Sequence, residues 1–116
     1  MKPRLLLHVE GAAVLFAAGI FYQQVHGRWF WFAVLFLAPD LFMFGYLANK
    51  KVGALIYNLG HTYTSPVLMF SILWFCGQIS DFWLPLICVA HIGWDRLIGY
   101  GLKYETAFKD THLQRV

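Results

Sequence analysis

The chain has 116 residues, 59% of them hydrophobic and only 13% charged, with a formal net charge of +3 and a mean hydropathy of +0.57. Soluble domains carry about a quarter charged residues, so an ordinary water-soluble domain is excluded and a single integral-membrane domain is expected over residues 1–116. The basic residues collect around the ends of apolar runs, as membrane topology requires, and give no reason to invoke nucleic acid.

A membrane-crossing helix needs roughly 20 apolar residues. Four such runs can be laid along the chain, at about 5–25, 29–48, 52–76 and 82–102, with a tail over 103–116. Transmembrane strands would be shorter and would alternate in polarity, which these runs do not. The first run follows Met1-Lys2-Pro3-Arg4 and superficially has the layout of a secretory signal. His8 and Glu10 interrupt it where a signal is most apolar, so it is expected to stay as a helix. The second run opens with Trp29 and Trp31, which match Trp83 at the head of the fourth as an interfacial aromatic belt.

In the third run Pro66 removes a backbone donor and crowds the carbonyl of Thr62, which predicts a kink or unwinding in the HTYTS segment before it. The freed carbonyls could be satisfied by the hydroxyls of Thr62, Thr64 and Ser65, or the irregular backbone could line a wet cavity. Cys76 and Cys88 lie at unlike depths, which argues against a disulfide. The connections QQVHGR, NKK and GQISD are short and impose an antiparallel up-down-up-down bundle. Lys2, Arg4, Lys50, Lys51, Arg96, Lys103, Lys109 and Arg115 fall on one side of that bundle, whereas on the other GQISD has no basic residue and the connection between the first two helices has only Arg28. Both termini are therefore expected on the cytoplasmic face of the inner membrane.

Ionisable groups inside apolar runs are costly and commonly functional. Asp40, His61, His91, Asp95 and Glu10 are such groups, and counting about 1.5 Å per residue from the cytoplasmic helix ends puts them all in the same half of the bilayer. His91 and Asp95 are four residues apart and share a helix face. With Asp40 and His61 from two other helices they offer two imidazoles and two carboxylates, a set that suits zinc first and also iron or manganese. If one position is left to water, the metal lowers the pKa of that water toward about 7, and Glu10 is then the candidate general base or fifth ligand. The alternative without metal pairs Asp95 with Arg96 or a histidine and leaves Asp40 as a hydrogen bond between helices.

The runs PDLFMFGY, YNLGHTY, AHIGWDRLIGYGLKY and FKDTHL resemble a small bacterial integral-membrane family known as a domain of unknown function, number 4260, over nearly the whole chain. More distantly, Pro-Asp near the end of one helix, then His followed by Thr and Ser, then His with Asp four residues on, is similar to the LexA-regulated inner-membrane metal-dependent hydrolases. That resemblance implies Asp40, His61, His91 and Asp95 as metal ligands. Phe42 stands where that family has a second acidic residue, and Thr64 or a neighbour where it has a second histidine. A second metal would need Asp110 and His112 to fold back from the tail, which could equally be solvated.

The leading expectation is thus a membrane-embedded, metal-dependent hydrolase acting on a lipid or lipid-linked phosphoester, with Arg96 and Lys103 placed to hold a phosphate or simply obeying the positive-inside bias. A small ion- or proton-translocating protein, which in so narrow a bundle would need a homodimer, is the rival. A structural or partner-binding membrane subunit is the third reading.

Overall fold

The structure is a computed structural model, and it describes residues 3–99, 101–102 and 111–113. Every described apolar run is helical. In chain order the elements are α1 (Pro3–Gln24), α2 (Trp29–Leu35), a 3₁₀ segment (Ala38–Leu47), α3 (Lys50–His61), α4 (Thr64–Phe75), a 3₁₀ turn (Ile79–Asp81) and α5 (Trp83–Ile98). Two stretches, Pro3–Gln24 and Trp29–Leu47, are long and apolar enough to cross a membrane. Large apolar side chains cover the outside, among them Phe16 at 75%, Leu47 at 85% and Phe75 at 88% exposure. Water-soluble monomers rarely expose apolar surface on this scale.

Three of the expected runs are corrected in detail. The second is not one α-helix: α2 stops at Leu35, and Pro39 opens the 3₁₀ segment that follows. Proline has no N–H and its ring crowds the carbonyl four residues back, here that of Leu35. The third run is interrupted at Thr62, which is extended at φ −100° and ψ 148°. The chain re-enters helix at Thr64, with Pro66 in the first turn of α4, where a missing donor costs little. The unwinding expected before Pro66 is present, and its carbonyls are satisfied: the Ser65 hydroxyl donates to Leu59 O, and Arg96 Nη2 donates to His61 O at 3.2 Å. The fourth run ends at Ile98 and not near residue 102, because Gly99 adopts the left-handed cap at φ 106°. Its N–H donates back to Asp95 O at 3.0 Å, a closure that glycine makes without Cβ strain.

α1 and α5 lie antiparallel in close contact. A Cβ at Gly11 would stand 2.5 Å from Leu97 N, and one at Gly93 would stand 2.8 Å from Leu15 N. Ala18 and Ala90, one pair of turns further along, are buried in the same seam. Small residues let helix backbones approach until van der Waals packing alone holds them, which matters where lipid removes the hydrophobic drive. Beyond the alanines the seam closes on a core of Tyr22, Leu86 and Ile87, with Phe32, Phe70 and Trp83 around it. On the other side of the molecule the 3₁₀ segment runs antiparallel along α3, with Gly45 against Ile56 and Gly53 against the Tyr46 ring. The Asn49 side chain starts α3 by accepting from Val52 N at 2.7 Å, as an N-cap should. These contacts fix the 3₁₀ segment, the end of α3 and the middle of α5 around one point.

Candidate metal centre

Four side chains meet at that point. Asp40 enters from the first turn of the 3₁₀ segment, His61 is the last residue of α3, and His91 and Asp95 share one face of α5. One ligand atom from each lies within 4.8 Å of all the others. His61 Nε2 is 3.1 Å from Asp40 Oδ1 and 3.6 Å from Asp95 Oδ2. His91 Nε2 is 3.2 Å from Asp40 Oδ1, 3.3 Å from Asp95 Oδ2 and 3.3 Å from His61 Nε2. A tetrahedron of bonds about 2.0 to 2.2 Å long has edges of about 3.3 to 3.6 Å. Five of the six edges here fall within a few tenths of an ångström of that range.

Hydrogen bonding fixes which atoms face the centre. His61 Nδ1 lies 2.8 Å from Tyr57 O; a carbonyl can only accept, so Nδ1 carries a proton and the neutral imidazole presents its Nε2 lone pair. Orienting a metal-binding histidine through its second nitrogen is the usual arrangement. The Tyr57 ring lies flat on His61, with centroids 3.8 Å apart and planes 6° apart, and Phe36 meets the His91 ring edge-on at 5.3 Å. Both imidazoles are thereby locked in orientation. His91 Nδ1 is buried and has no hydrogen-bond partner among the described residues.

Charge argues in the same direction. With both imidazoles neutral, the two carboxylates would give the cluster a formal charge of −2, which the buried part of the shell does not tolerate without compensation. A divalent cation would bring the sum to zero. The residues present therefore fit a metal ion, and the four-ligand set is able to hold one. The shell is uneven: the side chains of His61, His91 and Asp95 are 1%, 2% and 9% exposed, whereas that of Asp40 is 39% exposed. The centre is sealed on the α3 and α5 side and open along Asp40.

The remaining candidates lie elsewhere. Glu10 is exposed and is not among the four converging residues; with Arg96 and His112 it lines a separate cavity of about 250 Å³. Arg96 is 8% exposed and holds the end of α3 through His61 O. His112 lies against Leu102: its N–H donates to Leu102 O at 2.8 Å, and its Nδ1 accepts from Leu102 N at 2.7 Å. Leu113 is buried beyond it at 1% exposure. His112 nevertheless supplies no ligand to the centre. Burial, and then the Arg96 charge, hold its pKa below the usual histidine value. Lys103 and Asp110 lie outside the described residues. Sequence reasoning missed Tyr57, whose signal was its spacing: a residue four before His61 is on the same helix face.

The sequence model of a family described as a domain of unknown function, DUF4260, matches residues 4–116, and the chain belongs to that family. No curated protein and no solved structure matches it.

Proposed function

We propose that this DUF4260 protein is a four-helix inner-membrane protein, with both termini cytoplasmic, that binds one divalent metal ion and hydrolyses a membrane-associated substrate such as a lipid or lipid-linked phosphoester. The observation that carries this reading is the near-tetrahedral convergence of Asp40, His61, His91 and Asp95 on one volume. Zinc is the first choice, because it accepts mixed nitrogen and oxygen ligation in that geometry. Bound there, the ion would supply Lewis acidity, polarising a phosphoryl oxygen and lowering the pKa of a water toward about 7.

The protein's own contributions follow from where each residue lies. His61, His91 and Asp95 form the buried part of the shell, held by Tyr57, Phe36 and the rigid turns of α5. Asp40, on irregular backbone, is the most exposed member of the shell, and this is the side from which a substrate would approach. With His61, His91 and Asp95 as the three ligands, the fourth position would fall to water, and Asp40 beside it would take up that water's proton. Glu10, on the far side of Arg96, would then bear on substrate binding.

A second reading is favoured by the burial of three of the four ligands: closed four-ligand sites are commonly structural, and this one would tie α3, the 3₁₀ segment and α5 together. Metal analysis of the detergent-purified protein, followed by hydrolysis assays on a panel of phospholipids and lipid-linked phosphoesters, tests both. About one ion per chain is expected, lost in His91→Ala together with turnover. Absence of metal in wild type grown with zinc, iron and manganese would end the metal reading. Metal without turnover on the panel would leave the structural one.

A further inference from the structure

Back to back with the metal centre is the second cavity, about 250 Å³ in volume, and the two share the break between α3 and α4: His61 faces the metal centre, while Thr62 and Tyr63 line the cavity. On α5 the same division separates Asp95 from Arg96. The rest of the cavity wall is Leu7, Glu10 and Val14 of α1, with Leu102 and His112. Such a volume falls below the roughly 300 to 1,000 Å³ typical of pockets that enclose a whole drug-sized ligand. It suits a headgroup better than a complete lipid.

The charges in that wall are of both signs and are differently placed. Arg96 is buried at 8% exposure; its Nη2 donates to His61 O, and its guanidinium lines the cavity with the planar fork of N–H donors that suits phosphate oxygens. Since His112 Nδ1 accepts from Leu102 N, the neutral ring carries its proton on Nε2 and adds a donor. Glu10, by contrast, is exposed and forms no ion pair among the described residues. An anion alone would be attracted by Arg96 and repelled by Glu10; a cation alone would meet the reverse. A ligand with a phosphate at its inner end and an ammonium at its outer end satisfies both.

We infer that this cavity binds the headgroup of an amine-bearing zwitterionic phospholipid, with the phosphate held by Arg96 and His112 and the ammonium by Glu10. Leu7, Val14 and Leu102 supply the apolar wall along which the glycerol and the first methylenes leave the cavity. The inference rests on the membrane placement proposed above, not on the metal, and it assigns Glu10 the role of choosing between headgroups.

The test is equilibrium binding of radiolabelled dihexanoyl phosphatidylethanolamine, dihexanoyl phosphatidylglycerol and free phosphoethanolamine to the detergent-solubilised full chain, with the metal content of each preparation measured in parallel. Wild type should bind the ethanolamine lipid about tenfold more tightly than the glycerol lipid, the value of one charge-assisted hydrogen bond. Glu10→Gln should remove that preference while leaving metal content unchanged, which also shows that the variant is folded. Arg96→Lys should weaken both lipids together, since a point charge replaces the fork. Equal binding of the two lipids by wild type, or a preference that survives Glu10→Gln, would overturn the inference whatever the metal assays show. Free phosphoethanolamine binding as tightly as the lipid would overturn the lipid as the occupant.

Discussion

At the scale of single residues, the centre separates side chains placed to hold an ion from those that merely lie near it. Asp95 and Asp40 are both carboxylates, yet Asp95 is nearly sealed and projects from a regular helix, whereas Asp40 is only half-buried and follows Pro39 in a 3₁₀ turn. Asp95→Asn should therefore lose metal altogether, because the neutral amide leaves one negative charge to offset a buried divalent ion. Asp40→Asn should bind metal about 10 to 100-fold more weakly, in the range of changes at the margin of a metal site, and lose turnover. Glu10→Gln should bind metal as wild type does. Titration with a chromophoric zinc chelator ranks the three, and equal loss in Asp40→Asn and Asp95→Asn would show that the two carboxylates are equivalent ligands. The four converging residues were legible in the sequence because ionisable groups inside apolar runs have few other reasons to be there. Glu10 met the same criterion and depth count but lies by the other cavity: a depth count gives height along the bundle and says nothing about which face of α1 turns inward.

At the scale of elements, the metal centre depends on two irregular joints and one close helix contact. The joint before Pro66 was legible, since proline has a definite effect on the carbonyl four residues back. The conversion of the second run to 3₁₀ around Pro39 was not foreseen, although the same rule applies; the run is apolar on both sides of the joint, which hides it. The contact between α1 and α5 was also missed, because glycine in an apolar run signals a close approach without naming its partner. Gly93→Ala tests that contact. The added methyl meets the Leu15 N and Gly11 O of α1 at 2.8 and 2.9 Å, and since backbone cannot step aside as a side chain can, the helices must separate. A loss of about 1 to 3 kcal/mol is expected, the usual cost of overpacking, read as a lower unfolding temperature in detergent. Gly19→Ala, where nothing lies within 4 Å of the added methyl, is the control and should be neutral or slightly stabilising. Equal effects of the two would mean that α1 and α5 do not meet at Gly93.

At the scale of the whole molecule, the contacts bring the start of α1 and the end of α5 to one face. His8 Nδ1 is 2.7 Å from Leu97 O, so the start of α1 lies beside the end of α5. The 3₁₀ segment and α3 form an antiparallel pair whose turn carries Lys50 and Lys51. Asp40, His61, His91 and Asp95 meet at one level, and the counts from that level place Arg4, Lys50 and Lys51 on the same side of it. Positive residues near short loops stay cytoplasmic, which predicts that this face, with the headgroup cavity, is cytoplasmic and that the turn Ile79–Asp81 is external. Single cysteines at exposed positions 51 and 78 decide the matter in a background with Cys76 and Cys88 replaced by alanine. In intact cells an impermeant maleimide should label Gln78→Cys and leave Lys51→Cys untouched until the membrane is permeabilised. The reverse pattern would invert the protein and move the metal centre to the outer half of the bilayer. It would then have to draw its ion and its substrate from the periplasmic side, and a hydrolase acting on cytoplasmic-leaflet lipids would no longer be tenable.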